Sequence, residues 1–250
     1  MAHHHGRAHD GGYLVSGRKA FCSQSPAATV VATCAVLGEP GEGAEVLHFG
    51  VPLAAPGVRL EETWDTLGMR GTASHDVVLE EVFVPAGKVT GVRSYGEFGA
   101  PLMAAAVHFA PVAAATYHGI AAGAAERAIA AVSKSTRGPV AQARVHRQVG
   151  LVDAKLRTSW WSVMGAVDDL GDDYVADPHT LATVMLAKRQ AVRSAIEVVD
   201  LAMEVMGGRS FFRRAGMERA YRDVRAGTFH PLTPEATLTY AGKVARGDPD

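Results

Sequence analysis

Cysteine is scarce in this chain: Cys22 and Cys34 are the only two in 250 residues. They show no metal-type spacing and make no disulfide framework, so the expectation is a reducing, cytoplasmic compartment. Excess charge is missing too. The formal net charge is -1, which gives no global basic field to attract nucleic acid or an anionic membrane. Long apolar runs are also absent. The Ala-rich stretch from Ala104 to Ala115 is short and carries His108 and Pro111, and no uninterrupted run approaches the roughly 20 residues of a membrane span. The segment from Met1 to Gly12 has no apolar core of a signal peptide; residues 1–11 read as a disordered leader. His3, His4, His5 and His9 lie there without turns or carboxylates to fix a geometry, so no metal site is expected.

What is present is an ordinary globular balance. Hydrophobic residues make up 48% and charged residues 20%, enough to fold and bury a core as one large domain or two smaller ones. The pattern changes near residue 100. Before it, Tyr13, Val15, Lys19 and Phe21 flank a Ser16-Gly17 pair that reads as a hairpin turn. Thr29 to Leu37, Ala44 to Val51, Val58 to Glu62 and Ser74 to Val84 read as further strands, with a turn cluster from Gly38 to Gly43. Short strands at this spacing suggest an antiparallel sandwich or a partial barrel.

After residue 100 the period is helical. Leu102 to Ser135 is Ala-rich, with Pro111 bending it or marking its start, and Gly119 and Gly123 on one face inviting a close neighbour. Val149, Val152, Leu156, Trp160, Val163, Val167 and Leu170 form a stripe three or four apart. Asp177-Pro178 opens a third helix, whose stripe runs through Leu181, Val184, Met185, Lys188, Val192, Ala195, Val199, Met203 and Met206 to a Gly207-Gly208 stop. Thr233-Pro234 opens a last short helix that ends near Gly247. The expected class is α+β, mainly α: a partial β domain over 12–99, then an antiparallel helical bundle over 100–250.

Three segments carry a resemblance. Gly12 to Ser23, GYLVSGRKAFCS, resembles the "G-y-x-l-x-G-x-K-x-[WF]-[IC]-[ST]" hairpin of the acyl-CoA dehydrogenase superfamily. Trp64 to Pro85, WDTLGMRGTASHDVVLEEVFVP, is similar to its "LGxRgSxxxxLxfedVxVP" strand pair, and is the most specific of the three. Met206 to Gly227, MGGRSFFRRAGMERAYRDVRAG, resembles its C-terminal "GGxGyxxxxxxeRxyRDxr" segment. All three stand in family order and spacing and frame nearly the whole chain after Gly11. The resemblance implies a middle β domain followed by the C-terminal helical domain, with the N-terminal helical domain and the "TEP-x-x-GSD"-like start of the β domain missing. It also implies a homo-oligomer with FAD at the subunit interface. The chemistry would be removal of an α proton by a carboxylate, with β-hydride transfer to flavin.

Residue by residue, Phe21, Cys22 and Ser23 match the segment that lies against the flavin ring, and Gly207 and Gly208 match paired glycines near the cofactor. The family often has glutamine three residues before that pair; here Glu204 stands there. Arg144, Arg147 and Gln148 fall where members contact the partner subunit's FAD, though solvated helix charges fit equally well. Arg70 and the Arg222-Asp223 pair read as structural. The usual catalytic glutamate has no counterpart: Pro231 occupies its place, and Glu235 is a few residues late, in the first turn of a helix. The loop instead offers His230. The flavin monooxygenase branch of the same fold has a histidine in this loop and a Phe-Cys-Ser-type segment in its β domain, so the resemblance gives His230, and with it Ser23, as catalytic candidates.

Three readings follow. One is an FAD-dependent dehydrogenase acting on an acyl-CoA or related small molecule, which leaves room for an electron-transfer partner. The second is a monooxygenase using reduced FMN or FAD supplied by a reductase. The third is an incomplete subunit that pairs in a homo- or hetero-oligomer with a chain supplying the N-terminal domain.

Overall fold

The computed structural model describes residues 3–133 and 138–248. It divides into two compact units, residues 1–99 and 100–250. Each is described by itself.

The first unit is one seven-stranded sheet. Its strands are β1 (His3–His9), β2 (Gly12–Cys22), β3 (Val30–Leu37), β4 (Glu45–Pro52), β5 (Val58–Glu61), β6 (His75–Pro85) and β7 (Val89–Ser94). The order across the sheet is β5-β6-β2-β1-β3-β4-β7, so the sheet is open and not closed into a barrel. It is also mixed: β1 runs parallel to β3, and the other pairs are antiparallel.

Two expectations fail here. Residues His3 to His9 are not a disordered leader; they form β1, paired with β2 from His3↔Arg18 to His9↔Gly12. Polar composition hid this strand because its neighbours on both sides satisfy its backbone and its inward positions are small or hydrogen-bonded. Gly6 and His4 face inward, and the His4 Nδ1 meets Thr33 Oγ1 at 3.2 Å and Cys34 O at 3.3 Å. His4 is buried while His5 is exposed, since neighbours in a strand face opposite ways. The second failure is the hairpin turn. The chain reverses at Asp10-Gly11, where Gly11 adopts φ 72°, and β2 runs straight through Ser16-Gly17. That pair is a bulge: the register with β6 shifts between Val15 and Gly17, and Ser16 Oγ accepts from the Glu81 backbone N–H at 2.9 Å.

The sheet buries Val15, Leu47, Phe49, Val77, Leu79, Val82 and Val84 on a common face. These are β-branched or large apolar residues on alternate positions, which is why the strands hold their register.

The second unit is helical: α1 (Ala100–Ser133), α2 (Pro139–Leu170), α3 (Pro178–Met206), α4 (Met217–Val224) and α5 (Pro234–Ala245). The expected first helix reached Ser135, which lies outside the described residues. Pro111 sits inside α1 rather than at its start. By length and composition α1 is apolar enough to cross a membrane; its buried residues, Val107 through Ala128, are mostly alanine. Asp177 caps α3 by accepting from the Thr180 backbone N–H at 2.8 Å, with Pro178 in the first turn. α3 is the central helix and packs on α1, α2, α4 and α5. The core joins Tyr117, Ala121, Ala124 and Ala128 of α1 to Val192, Val198, Val199 and Val205 of α3 and to Met217 and Val224 of α4.

Close approach does not occur at Gly119 or Gly123, where an added Cβ would meet nothing nearer than 3.9 Å. It occurs at Gly227, in the short helical turn from Arg225 to Phe229. A Cβ there would lie 2.8 Å from both Val192 methyls and 3.2 Å from Tyr117 Cδ2. Both neighbours are buried and β-branched or aromatic, so they cannot swing aside. Gly227→Ala is therefore expected to lower stability by about 1–3 kcal/mol, read from the midpoint of urea unfolding. Gly119→Ala, by contrast, should be neutral or stabilising by up to about 1 kcal/mol.

Candidate functional site

In the first unit, the end of β2 carries the flavin-contact candidates. Phe21 sits at φ 58°, a left-handed backbone that a bulky residue adopts only when its surroundings impose it. Its ring is 74% exposed and meets the Trp64 ring edge-on, with centroids 5.9 Å apart. Ser23 follows in a tight turn, its backbone N–H donating to Phe21 O at 3.0 Å. A chain of hydroxyls anchors that turn: Ser23 Oγ to Ser74 Oγ at 2.9 Å, Ser74 to Thr72 Oγ1 at 2.8 Å, and Thr72 to Met69 O at 2.9 Å. Cys22 points inward between them. Burial pushes its thiol up, away from thiolate, so it serves as an apolar wall and not as a nucleophile.

These residues line a cleft of about 240 Å³ with Lys19, Ser25, Val30 and Leu53. Its lining is mixed: Phe21, Val30 and Leu53 give apolar surface, and Ser23, Ser25 and Lys19 give polar groups, a set that fits a flat heteroaromatic ring with a polar edge. Whole ligand sites are commonly roughly 300–1,000 Å³. The cleft of this unit is smaller than that.

In the second unit, His230 stands in the loop between the Arg225–Phe229 turn and α5. Its Nε2 lies 2.6 Å from Tyr117 Oη of α1. The ring of Phe109, also from α1, packs edge-on against the imidazole at 5.5 Å. Burial, and then the charge of Lys188, hold the imidazole below its ordinary pKa, so it is neutral at pH 7. Burial and the Asp223 charge push Tyr117 up to about 12, so its phenol stays protonated. Lys188 of α3 is 2% exposed and donates to three loop carbonyls: His230 O at 3.2 Å, Pro231 O at 2.8 Å and Leu232 O at 2.8 Å. Burial brings its pKa down to about 8. Three carbonyl acceptors act the other way, favouring the ammonium, so the group remains charged at neutral pH.

The other candidates separate. Gly207 ends α3 at φ 68°, the helix stop that the paired glycines predict, and Gly208 follows in a short exposed turn. Gln148 is buried near the start of α2 and donates to Glu204 Oε2 at 3.1 Å, which brings it beside the α3 terminus. Glu204 is thereby occupied by an amide. Arg144 and Arg147 are exposed on α2. Arg222 pairs with Glu218 at 2.7 Å, and Arg70 donates to Thr66 O at 2.8 Å, both structural contacts. Glu235 is exposed in the first turn of α5. Tyr117, Phe109 and Lys188 were not singled out from sequence as site residues. The available signal was Lys188 itself, a lysine on the buried stripe of α3.

Comparison with known proteins supplies the family. The profile described as acyl-CoA dehydrogenase, middle domain, matches residues 4–82, and that described as acyl-CoA dehydrogenase, C-terminal domain, matches residues 111–235. A Bacillus subtilis (strain 168) protein, YdbM, provisionally named an acyl-CoA dehydrogenase, is 31% identical over 235 residues, 92% of this chain and 59% of the relative. The flavin-dependent monooxygenase oxygenase subunit HsaA of Rhodococcus jostii (strain RHA1) is 29% identical over 95% of this chain and 67% of its own length. Among solved structures, KijD3 in complex with FMN and dTDP-3-amino-2,3,6-trideoxy-4-keto-3-methyl-D-glucose superposes with a TM-score of 0.88 at 26% identity, covering 100% of this chain and 64% of that one. The chain thus spans about three-fifths to two-thirds of the length of these proteins, and by its two matched domains it belongs to the acyl-CoA dehydrogenase family.

Proposed function

We propose that this chain is the flavin-wall and helical portion of a flavin-dependent monooxygenase acting on a hydroxyl- or amino-bearing small molecule. The observation that carries this reading is the loop at 229–233. Where family dehydrogenases place a carboxylate to remove an α proton, this loop carries a neutral imidazole backed by a phenol. Glu235, the nearest acid in sequence, is out on the surface of α5. An imidazole kept neutral at pH 7 is suited to accept a proton from a phenol-like O–H or an ammonium N–H. Nε2 faces Tyr117 Oη, so Nδ1 takes the proton in the tautomer whose Nε2–H donates to the phenol oxygen. The flavin-bound KijD3 and the oxygenase HsaA support the same direction.

The residues present fit a flavin. Phe21 and Val30 give exposed apolar surface for a flat ring, and the Ser23 turn puts backbone and hydroxyl groups at its rim. When bound in reduced form, flavin supplies the electron pair by which one oxygen atom of O2 enters substrate and the other leaves as water. In this reading the first unit would hold the ring against Phe21, and in the second unit His230 would take the substrate proton. The second reading, an acyl-CoA dehydrogenase, is favoured by the likeness to YdbM, and it requires a carboxylate from outside the 229–233 loop.

The two readings separate by measurement. With chemically reduced FMN or FAD and a panel of phenols and amino sugars, substrate-dependent oxygen uptake and hydroxylated product are expected. His230→Ala should lower product formation by about 10²-fold or more while leaving flavin retention unchanged. Anaerobic bleaching of bound oxidised flavin by an acyl-CoA, with no oxygen-dependent product, would instead establish the dehydrogenase. A further test concerns Phe21. Phe21→Gly relieves a left-handed backbone and removes a ring that packs little, so unfolding free energy should hold or rise by up to about 1 kcal/mol. Flavin retained on gel filtration should nevertheless fall, because the exposed wall is gone.

A further inference from the structure

A lysine 2% exposed inside a helical core is a costly placement, since an ammonium taken out of water loses its hydration. Such a group persists where its donors are used, and Lys188 uses all three on consecutive carbonyls of one loop: His230, Pro231 and Leu232. The neighbouring Arg189 continues the same seam, its Nε donating to Pro234 O at 3.1 Å. Thr237 Oγ1 of α5 reaches back to Leu232 O at 3.4 Å. The main chain is thus tied to α3 at three successive loop residues, 230, 231 and 232, and again at Pro234, where α5 begins. The imidazole of the same loop is tied to α1 through Tyr117 and packed by Phe109. A core needing only to be filled would take a leucine or methionine at position 188, as the stripe around it does with Leu181, Val184, Met185 and Val192.

We propose that Lys188 is the positioning residue for His230: by capping the carbonyls of residues 230–232 it fixes the loop that presents the imidazole and sets a positive charge beside it. The catalytic meaning of this rests on the reading of His230 as a base, but the coupling itself does not. The charged and titratable groups in play are Lys188 from α3, Tyr117 from α1 and, through Tyr117, Asp223 from α4. Of these, only Lys188 places a positive charge by the imidazole. Removing that charge favours the imidazolium, so the imidazole midpoint should rise; burial, the larger cause of its depression, stays in place. The fraction of neutral base near pH 6–7 then falls, and the acid limb of any pH–rate profile moves to higher pH.

The experiment is an NMR titration of ring-labelled histidine, with the His230 signal assigned by its loss in His230→Ala. It is run on the 250-residue chain as wild type, Lys188→Gln, Lys188→Met and Lys188→Arg, with thermal unfolding of each recorded alongside. Lys188→Gln keeps amide donors for the carbonyls without the charge, and Lys188→Arg keeps the charge. An upward shift of the His230 midpoint in Lys188→Gln or Lys188→Met, reversed toward wild type in Lys188→Arg, is the expected result. A midpoint equal to wild type in a folded neutral variant would overturn the proposal. So would loss of fold in both neutral variants, which would make Lys188 a requirement of the core alone. Turnover is not needed for this readout: if His230→Ala leaves product formation intact while the midpoint shifts, the base reading fails and the positioning of His230 by Lys188 stands.

Discussion

The second unit is organised around one buried ammonium. Lys188 sits on the stripe of α3 that the other helices cover, so its charge can be tolerated only if acceptors come to it. The acceptors are the carbonyls of a loop that has no helix or strand of its own to satisfy them. Each side therefore solves the other's problem: the loop acquires donors, and the lysine acquires a coordination shell. The same exchange dictates where α5 starts, because Thr233, its cap, directly follows the three captured carbonyls. It also dictates how far the imidazole of His230 can stray from Tyr117.

That arrangement depends on the packing of small side chains beside it. α1 faces α3 with alanines at 110, 113, 114, 121, 124, 125 and 128, and α3 answers largely with valine and alanine. Small side chains let two helix backbones approach, and valines lose little rotamer freedom when buried. Tyr117 is the large exception on that α1 face. It is 1% exposed, and its phenol emerges from the alanine ridge only at the loop. Gly227 completes the fit, because the turn leading to His230 crosses Val192 and Tyr117 where no Cβ has room. Main-chain path, helix spacing and imidazole orientation are thus one packing problem rather than three.

Much of this was legible in the sequence, and the misses share a cause. The long helices and the strands at Val30–Leu37, Glu45–Pro52, Val58–Glu61 and His75–Pro85 follow from apolar period, caps and turn residues, which are local signals. β1 and β7 were not legible: His3–His9 is polar and owes its conformation to being flanked by β2 and β3, and Val89–Ser94 is a short edge strand that depends on β4, far back along the chain. α4 is eight residues long, too short to establish a period. Ser16-Gly17 has turn composition but lies in a strand, because a bulge asks for the same glycine that a turn does. For the site, family motifs located Phe21 to Ser23 and His230. They could not supply Tyr117 and Lys188, whose roles come from contacts 113 and 42 to 44 residues away along the chain.

The two candidate regions hold their key side chains by different means, and the difference bears on what each can do. Phe21 is kept exposed by its backbone: a left-handed φ, a turn hydrogen bond and a relay of three hydroxyls to Met69 O. Such a ring presents a fixed face yet makes few contacts of its own, which suits stacking against another flat group, where area and orientation matter more than charge. His230 is held by side chains in a partly desolvated setting, where a nearby charge acts strongly. Its protonation is therefore open to adjustment by a single neighbour in a way that the stance of Phe21 is not. An exposed ring suited to stacking and a half-buried imidazole beside a buried cation both fit the flavin-assisted oxygenation proposed above, and neither calls for the carboxylate that this loop lacks.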